Sequence, residues 1–210
     1  MRHNPKFGES YEVSPAMNNY LTRLKNPQFI RYGLSLFTSE FIFGEKHEQI
    51  IDDLYKKSLH KMERSPNTMH KYGASDVINS DELEQLKNRL LPYIYEVFDV
   101  NPCKECTLFT DFSVHYGFLR DEKLDEHVDD SDITVNICLK NTKGFTGLKF
   151  NQIPDTLFSI KSNKCIMVNL EKGDVLVHSG KQRHEVIKNF EKESIDCGER
   201  VNLVLWLKFR

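Results

Sequence analysis

The chain has 210 residues, of which 39% are hydrophobic, and its 29 basic and 31 acidic residues give a formal net charge of −2. A chain of this length can bury a core without disulfides, and its hydrophobic fraction excludes an intrinsically disordered protein. The charges are interspersed without a basic block that could neutralise a phosphate backbone, so we expect no nucleic-acid binding.

The sequence shows no targeting or membrane segment. It starts with the polar stretch MRHNPKFGESYEVSP, and no window approaches the ~18 apolar residues of a membrane span. Its five cysteines are odd in number and include one CxxC, Cys103 and Cys106, without a second pair that could complete a zinc site. This usage is typical of a reducing compartment. We therefore predict a cytoplasmic protein without a membrane partner.

The N-terminal part favours helices after an irregular start. Residues 1–35 contain three prolines and little periodicity, and we expect them either to wrap over the core or to fray. A helix is predicted over 39–62 with Ser39 as its cap, because apolar residues recur there at near-helical spacing. These apolar residues are Ile42, Ile50, Ile51, Leu54 and Leu59.

A second helix is predicted over 80–98. Asn79 and Glu82 resemble a capping box, and Pro92 should kink the helix. Its apolar stripe consists of Leu83, Leu86, Leu90, Ile94 and Val97. Between the two helices the sequence predicts a loop, RSPNTMHKYGASD, which contains Pro66 and Gly73.

After residue 105 the pattern changes to short runs rich in β-branched and aromatic residues, separated by Gly, Asn, Asp and Ser. The predicted strands are 107–116, 133–139, 165–170, 174–178, 184–189 and 200–209. Two helices followed by many strands favour an α+β fold in which the helices cover one face of an antiparallel sheet or barrel. We divide the chain into an N-terminal helical flank, 1–105, and a β-rich domain, 106–210.

The last strand predicts a cavity. One face of it is wholly apolar, and the other carries Arg200, Asn202, Val204, Trp206 and Lys208. Since alternate residues of a strand point to opposite faces, the apolar face should meet a dry neighbour such as the N-terminal helices. The mixed face, with Arg200 on it, should line a cavity that holds a small anionic ligand.

The stretch LDEHVDDSD, 124–132, combines one histidine with five acidic residues. Such a run is most often a solvated loop, and a calcium loop starting at Asp125 would need Gly where Asp130 stands. In an extended segment His127 and Asp129 would share a face, while Asp130 and Asp132 would point away. An imidazole and a carboxylate are two of the three ligands of the 2-His-1-carboxylate iron site.

The third metal ligand of such a site, and a residue that could bind its co-substrate, have candidates further along the chain. His178 and His184 both lie in GDVLVHSGKQRHEV, a strand–turn–strand pattern, and the spacing leaves the choice between them open. Arg200 could hold an anionic co-substrate, because a guanidinium can pair with a carboxylate through two hydrogen bonds.

These motifs together resemble the Fe(II)/2-oxoglutarate-dependent dioxygenases, in their prolyl 4-hydroxylase-type catalytic domain. The segments that carry the resemblance are FSVHYG, LDEHVDDSDITVNICL, FTGLKF, GDVLVHSGKQRHEV and GERVNLVLW, over about 107–209. The loop SPNTMHKYG also resembles a segment that precedes this domain in the 2-oxoglutarate and iron-dependent oxygenase domain-containing proteins. The resemblance then extends from about residue 30 onwards.

The resemblance implies roles for five residues. It makes His127 and Asp129 two iron ligands and His184, rather than His178, the third. Arg200 would pair with the far carboxylate of 2-oxoglutarate, and Tyr116 would donate a hydrogen bond to the same group. The chain departs from the usual pattern in an enlarged loop, NFEKESIDC, before Arg200, and in the single glycine of FTGLKF.

The resemblance also implies a fold and an activity. The fold would be a double-stranded β-helix, or jelly-roll barrel, with N-terminal helices on its major sheet. The activity would be a hydroxylation that depends on Fe(II), 2-oxoglutarate and L-ascorbate. A prolyl or lysyl side chain of a protein is the expected substrate. The alternative substrate is a free amino acid or other small metabolite. The alternative function is that of a non-catalytic metal-binding interaction module.

Overall fold

The computed structural model describes residues 11–12, 28–31, 34–64, 69–78, 80–98, 100–101, 104–117, 120–142, 146–151, 165–188 and 198–210. The first strands are β1 (Tyr11–Glu12), β2 (Gln28–Arg31), β3 (Leu34–Thr38), β4 (Glu63–Arg64) and β5 (Tyr72–Ser75). The later strands are β6 (Cys106–Gly117), β7 (Leu124–His127), β8 (Ile133–Asn141), β9 (Thr146–Phe150), β10 (Ile166–Val168), β11 (Asp174–Ser179), β12 (His184–Lys188) and β13 (Glu199–Phe209). The helices are α1 (Ser39–Phe43), α2 (His47–His60) and α3 (Ser80–Val97), and a 3-10 turn, Gly44–Lys46, separates α1 from α2.

The strands form two sheets. The large sheet has the order β2-β3-β11-β8-β13-β6-β5-β4, and all of its neighbours are antiparallel. The small sheet has the order β1-β10-β9-β12-β7, with one parallel pair, β1 and β10. The predicted combination of helices with antiparallel sheets is confirmed. None of the helices in the described ranges is long and apolar enough to cross a bilayer.

The helices cover one face of the large sheet. Ile51 and Leu54 of α2 and Leu90 of α3 belong to the same buried cluster as the apolar face of β13. That face contributes Val201, Leu203, Leu205, Leu207 and Phe209, which is the alternation that the sequence predicted. Each fully buried leucine or valine stabilises the fold by ~1.5–3 kcal/mol, so this layer fixes the orientation of β13.

A second apolar cluster lies between the two sheets. Leu36 of β3 and Leu176 of β11 come from the large sheet, and Phe150 of β9, Val168 of β10 and Val186 of β12 come from the small one. The inward face of the large sheet is therefore covered by the small sheet. The mixed face of β13 points into this space.

Residues before 106 also contribute strands to the large sheet. β3 pairs with β11 and β5 pairs with β6, so part of the predicted flank continues the sheet of the predicted domain. The sequence did not predict these strands because they are only five and four residues long, too short for a clear alternation of apolar and polar residues. The division at residue 105 stays a prediction.

The first predicted helix is interrupted and has a different cap. Gly44 has φ +69, which is the left-handed region that favours glycine, and the chain passes through a 3-10 turn before α2 begins. The helix cap is Thr38, whose Oγ1 accepts a hydrogen bond from Phe41 N at 3.2 Å, and Ser39 is the first helical residue. α3 matches its predicted range, whereas Asn79 lies outside the described residues.

Asp174 is a buried carboxyl group whose protonation makes the stability of the fold depend on pH. It begins β11, is 2% exposed, and accepts a hydrogen bond from Glu171 N at 2.7 Å. Burial raises the pKa of Asp174 to about 7, and the Glu171 hydrogen bond opposes this shift only in part. The folded state therefore retains a proton on Asp174 at pH values where the unfolded chain has lost it.

We expect Asp174→Asn to flatten the pH dependence of stability. In the parent protein this carboxyl stabilises the folded state fully below pH 4, and that contribution is lost as pH rises through about 7. The free energy of unfolding should therefore fall by up to ~1.4 kcal/mol per pH unit in this range, and the variant, which cannot ionise, should lack that slope. Urea unfolding at several pH values measures it. Asp52→Asn, at an exposed residue paired with Lys172, is the matched control and should keep the slope.

Candidate metal centre and active site

Two histidines and one aspartate converge at the edge of the small sheet. His127 ends β7 and His184 begins β12, and the two residues lie opposite each other in the register of these strands. Asp129 Oδ1 is 3.5 Å from His127 Nε2 and 3.8 Å from His184 Nε2. One ligand atom from each of the three residues lies within 4.8 Å of the others. The structure thus brings together the three predicted metal ligands.

Asp129 lies two residues beyond the end of β7. The strand ends at His127, and the bend of residues 130–132 begins only after Asp129. Asp129 N donates to Gly180 O at 2.8 Å, and Gly180 N donates to Asp132 O at 3.0 Å. A Cβ on Gly180 would lie 2.7 Å from the Ser131 carbonyl carbon, so this close approach requires glycine.

The neighbouring acidic side chains have structural roles outside the cluster. Asp130 pairs with Lys208 at 2.7 Å, and Asp132 Oδ2 accepts a hydrogen bond from Phe209 N at 2.9 Å. Both residues are exposed, as the alternation predicted. They hold the turn against the end of β13 and leave Asp129 as the buried carboxylate.

The two oxygens of Asp129 have different surroundings. Oδ1 faces the two histidines, while Oδ2 accepts a hydrogen bond from Thr134 Oγ1 at 2.6 Å. Burial would raise the pKa of Asp129, but the adjacent His127, the nearby His178 and His184, and the hydrogen bond from Thr134 hold it well below its usual range. Asp129 therefore presents one charged oxygen to the space between the histidines.

Both histidines present an unprotonated nitrogen to the same space. His127 Nδ1 lies 2.8 Å from Asp125 O and His184 Nδ1 lies 2.9 Å from Gln182 O. Since a carbonyl only accepts, each Nδ1 carries the proton and each neutral ring has its lone pair on Nε2. Burial lowers the pKa of His184 to about 3. At His127 burial acts in the same direction, but the neighbouring Asp129 carboxylate and the Asp125 carbonyl together outweigh it and raise the pKa. In the neutral form of both rings this donor set fits a divalent metal. The charge of the metal would take the place of the extra proton that the raised pKa favours on His127.

His178 is close to the cluster but does not belong to it. Its ring is fully buried, with Nδ1 2.9 Å from Ser179 O and Nε2 4.0 Å from Asp129 Oδ2. Among the described residues, Nε2 of His178 has no hydrogen-bond partner. Nε2 of His178 therefore faces Asp129 Oδ2, which accepts the hydrogen bond from Thr134. It does not face Oδ1, the oxygen nearest to His127 and His184.

Arg200 is a buried cation that hydrogen-bonds two neutral side chains. It is 1% exposed, and burial lowers its pKa from the usual value. Nε donates to Asn202 Oδ1 at 2.8 Å and Nη1 donates to Thr146 Oγ1 at 3.3 Å. No carboxylate in the described part of the chain forms an ion pair with it. Because an uncompensated buried charge is strongly unfavourable, this arrangement calls for an anionic ligand.

Tyr116 lies beside Arg200, and a residue that the sequence did not single out contacts it. Tyr116 pairs with Arg200 in the β6–β13 register, with the guanidinium 5.9 Å from its ring. Its hydroxyl lies 2.9 Å from Nε2 of His70, which is 8% exposed. Burial raises the pKa of Tyr116 and lowers that of His70 to about 4. The only sequence signal for His70 was its place in SPNTMHKYG.

One cavity connects the three candidate metal ligands with Arg200. Its wall includes all three candidate ligands, Tyr116, His70 and Arg200. Apolar and amide side chains form much of the remainder, among them Phe112, Leu124, Asn136, Val186, Val204 and Trp206. A ligand in this cavity can therefore contact a metal at one end and a guanidinium at the other.

Comparison with known proteins identifies the family. The chain is 32% identical over 152 residues to the 2-oxoglutarate and iron-dependent oxygenase domain-containing protein CP2 of Arabidopsis thaliana, a match that covers 68% of this chain. This chain belongs to the 2-oxoglutarate- and iron-dependent oxygenase family. The chain is also 28% identical over 151 residues to the 2-oxoglutarate and iron-dependent oxygenase domain-containing protein ICU11 of the same plant. It spans about a third of these relatives, 36% of each. No protein-family model matches it.

Solved structures agree in fold. An oxidoreductase of the 2OG-Fe(II) oxygenase family from Burkholderia pseudomallei matches 97% of this chain and 96% of its own, with a TM-score of 0.60 and 16% identity. A prolyl-4-hydroxylase from Pseudomonas putida matches 93% and 97%, with a TM-score of 0.54 and 15% identity. At these identities the likeness concerns the fold.

Proposed function

We propose that the oxygenase is an Fe(II)/2-oxoglutarate-dependent dioxygenase that hydroxylates a C–H bond, with His127, Asp129 and His184 as its iron ligands. The observation that carries this proposal is one cavity with two imidazoles and a carboxylate at one end and, at the other, a buried guanidinium that pairs with no carboxylate of the described residues. Two histidines and a carboxylate leave metal positions open for a co-substrate and oxygen, as in non-haem iron oxygenases.

The two facing sheets support a double-stranded β-helix as the finer description of the fold. In this proposal residues 106–210 form the oxygenase domain and residues 1–105 form a flank that buttresses it. The packing of α2 and α3 on the large sheet supports the buttressing role. His70 gives the flank a second role, because it places a side chain from residues before 106 in the cavity wall.

For 2-oxoglutarate we propose that Arg200 pairs with the far carboxylate and that Tyr116 donates a hydrogen bond to it. Bound Fe(II) and 2-oxoglutarate would supply an oxidative decarboxylation that is coupled to hydroxylation, with L-ascorbate as the proposed reductant. Thr134 holds Asp129 Oδ2, so that Oδ1 stays directed at the metal position. The apolar residues Phe112, Leu124 and Val186 limit the access of water to the reacting atoms.

For the substrate we propose a prolyl or lysyl side chain of a protein. The structural similarity to a prolyl-4-hydroxylase supports it. A free amino acid or small metabolite is the alternative, favoured by a similar structure described as an epimerase from nogalamycin biosynthesis, with a TM-score of 0.58 and 16% identity over 92% of the oxygenase. A peptide-array assay read by a gain of one oxygen atom distinguishes the two, since product on Pro or Lys requires the first.

The proposal is tested most directly with the purified protein, Fe(II) and 2-oxoglutarate without oxygen. We expect a visible metal-to-ligand charge-transfer band, because the oxo acid would bind the iron held by His127, Asp129 and His184. On admission of oxygen, 2-oxoglutarate should be converted to succinate. Protein that binds iron yet shows no such band would contradict the proposed activity.

We expect His184→Ala to lose divalent metal binding and His178→Ala to retain it. Nε2 of His184 is one of the three convergent atoms, whereas Nε2 of His178 faces the other oxygen of Asp129. Metal titration by calorimetry, with circular dichroism to check folding, measures the difference. Equal losses in two folded variants would mean that the wrong histidine has been assigned as a ligand.

A further inference from the structure

The hydrogen bonds of Arg200 determine how two asparagines are oriented. A guanidinium can only donate hydrogen bonds. Because Arg200 Nε donates to the Asn202 side chain at 2.8 Å, the atom of Asn202 that faces it must be the carbonyl oxygen. The amide nitrogen of Asn202 then points the other way, where it donates to Asn136 Oδ1.

This chain of hydrogen bonds leaves the Asn136 amide nitrogen as an available donor. Its oxygen is used by Asn202, and within the described part of the chain Nδ2 has no partner. Within the described residues, the buried side-chain polar atoms without a hydrogen-bond partner are Ser35 Oγ, Ser58 Oγ, His115 Nδ1, His178 Nε2 and Trp206 Nε1. Asn136 Nδ2 is not among these buried atoms, although it has no partner within the described residues and Asn136 is only 6% exposed. Nδ2 must therefore be accessible, and the cavity that Asn136 lines provides the access.

Asn136 lies between the two ends of the site. On β8 it is two residues from Thr134, which holds Asp129, and it pairs with Val204 of β13. Its side chain also contacts Asn202, which contacts Arg200. Alternate residues of a strand are ~6.6 Å apart on one face, so a ligand that reaches from the metal position to Arg200 must pass Asn136.

We propose that Asn136 is a further co-substrate-binding residue, whose side-chain N–H donates a hydrogen bond to an oxygen of bound 2-oxoglutarate. Asn202 is the positioning residue that keeps this donor turned into the cavity. The inference rests on the proposed function and adds a specificity element to it. Arg200 and Asn136 both present donors, so this side of the cavity accepts carboxylate and keto oxygens and disfavours groups that must donate, such as an ammonium or amide N–H.

The test compares Asn136→Ala and Asn136→Asp with the parent protein. Mn(II) is loaded first, and the dissociation constant of 2-oxoglutarate is then measured by calorimetry without turnover. A hydrogen bond to a charged group contributes enough that its loss should weaken 2-oxoglutarate binding by about tenfold or more in Asn136→Ala. Asn136→Asp retains the oxygen that Asn202 needs but replaces the donor with a second anion, so its loss should be larger. The affinity for Mn(II) should change by less than about threefold in both, since Asn136 is outside the donor set.

Val204→Ala is the control, because it shortens the side chain opposite Asn136 without removing a donor. It should affect 2-oxoglutarate affinity less than Asn136→Ala does. Equal 2-oxoglutarate affinities in the parent protein and both Asn136 variants would overturn the inference alone. Parallel losses of Mn(II) and 2-oxoglutarate affinity would also overturn it, because they would indicate a structural role. A parent protein that binds Mn(II) but never 2-oxoglutarate would overturn the proposed function and this inference with it.

Discussion

Asp129→Ala is expected to abolish 2-oxoglutarate turnover and to weaken Fe(II) binding by more than ~100-fold, since losing even an outer partner of a metal ligand costs 10–100-fold. The variant would remove the one carboxylate among the three convergent side chains. The two remaining imidazoles are neutral donors, so no anionic group would stay in the cluster to balance a divalent cation. Succinate formation and the charge-transfer band measure the two effects.

Asp130→Ala is the matched control for this change. It removes a carboxylate at the next position of the chain, but Asp130 is exposed and pairs with Lys208. Turnover and iron binding should therefore stay close to those of the parent protein. If Asp129→Ala still bound Fe(II) as tightly as Asp130→Ala, the assignment of Asp129 as a ligand would be wrong.

Arg200→Met is expected to raise the 2-oxoglutarate concentration required for half-maximal turnover by more than ~100-fold, because removing one partner of a buried, hydrogen-bonded charge pair costs about 3 kcal/mol or more. Methionine fills much of the space of the arginine stem but offers no donor. The 2-oxoglutarate requirement of Arg200→Lys should lie between those of the parent protein and Arg200→Met, since lysine retains the charge but cannot form two parallel hydrogen bonds to a carboxylate. Fe(II) binding should be unchanged, because Arg200 is outside the cluster of convergent ligand atoms.

The control for this second change is Arg183→Ala. Arg183 lies next to His184 in the sequence but is half exposed and pairs with Glu126. Its loss should leave the 2-oxoglutarate requirement unaltered. An Arg200→Met protein with normal folding and an unchanged 2-oxoglutarate requirement would refute the proposed role of the guanidinium.

Local patterns accounted for much of the fold. α3 was predicted from its apolar stripe, and six later strands were predicted close to their observed ranges. The two faces of β13 were predicted by simple alternation, because both faces of this central strand are covered and each selects its own residues. The interruption at Gly44 was not predicted, since a single glycine can also be tolerated within a helix.

The candidate site was predictable only where the chemistry of a residue is rare. A histidine and an aspartate two positions apart, a later histidine and an arginine on a cavity-facing strand suggested the cluster. The spacing alone did not distinguish His178 from His184, because both flank the same turn. The structure brings only His184 opposite His127.

Other residues had no distinctive sequence pattern. His70, Thr134 and Asn136 are common residue types in ordinary positions, and their roles depend on what lies across the cavity. His70 reaches Tyr116 from 46 residues away in the sequence, and Asn136 reaches Asn202 from 66. No local periodicity carries information about such pairs.

The sequence by itself determined α3, six of the later strands, the two faces of β13, and which residue types could hold a metal and an anion. These properties follow from side-chain polarity at periods of two and 3.6 residues. The tertiary structure decided which of these side chains meet, because pairing between distant strands sets their register. It also decided the direction of each hydrogen bond in the cavity, since a donor-only guanidinium at Arg200 orients Asn202 and, through it, Asn136.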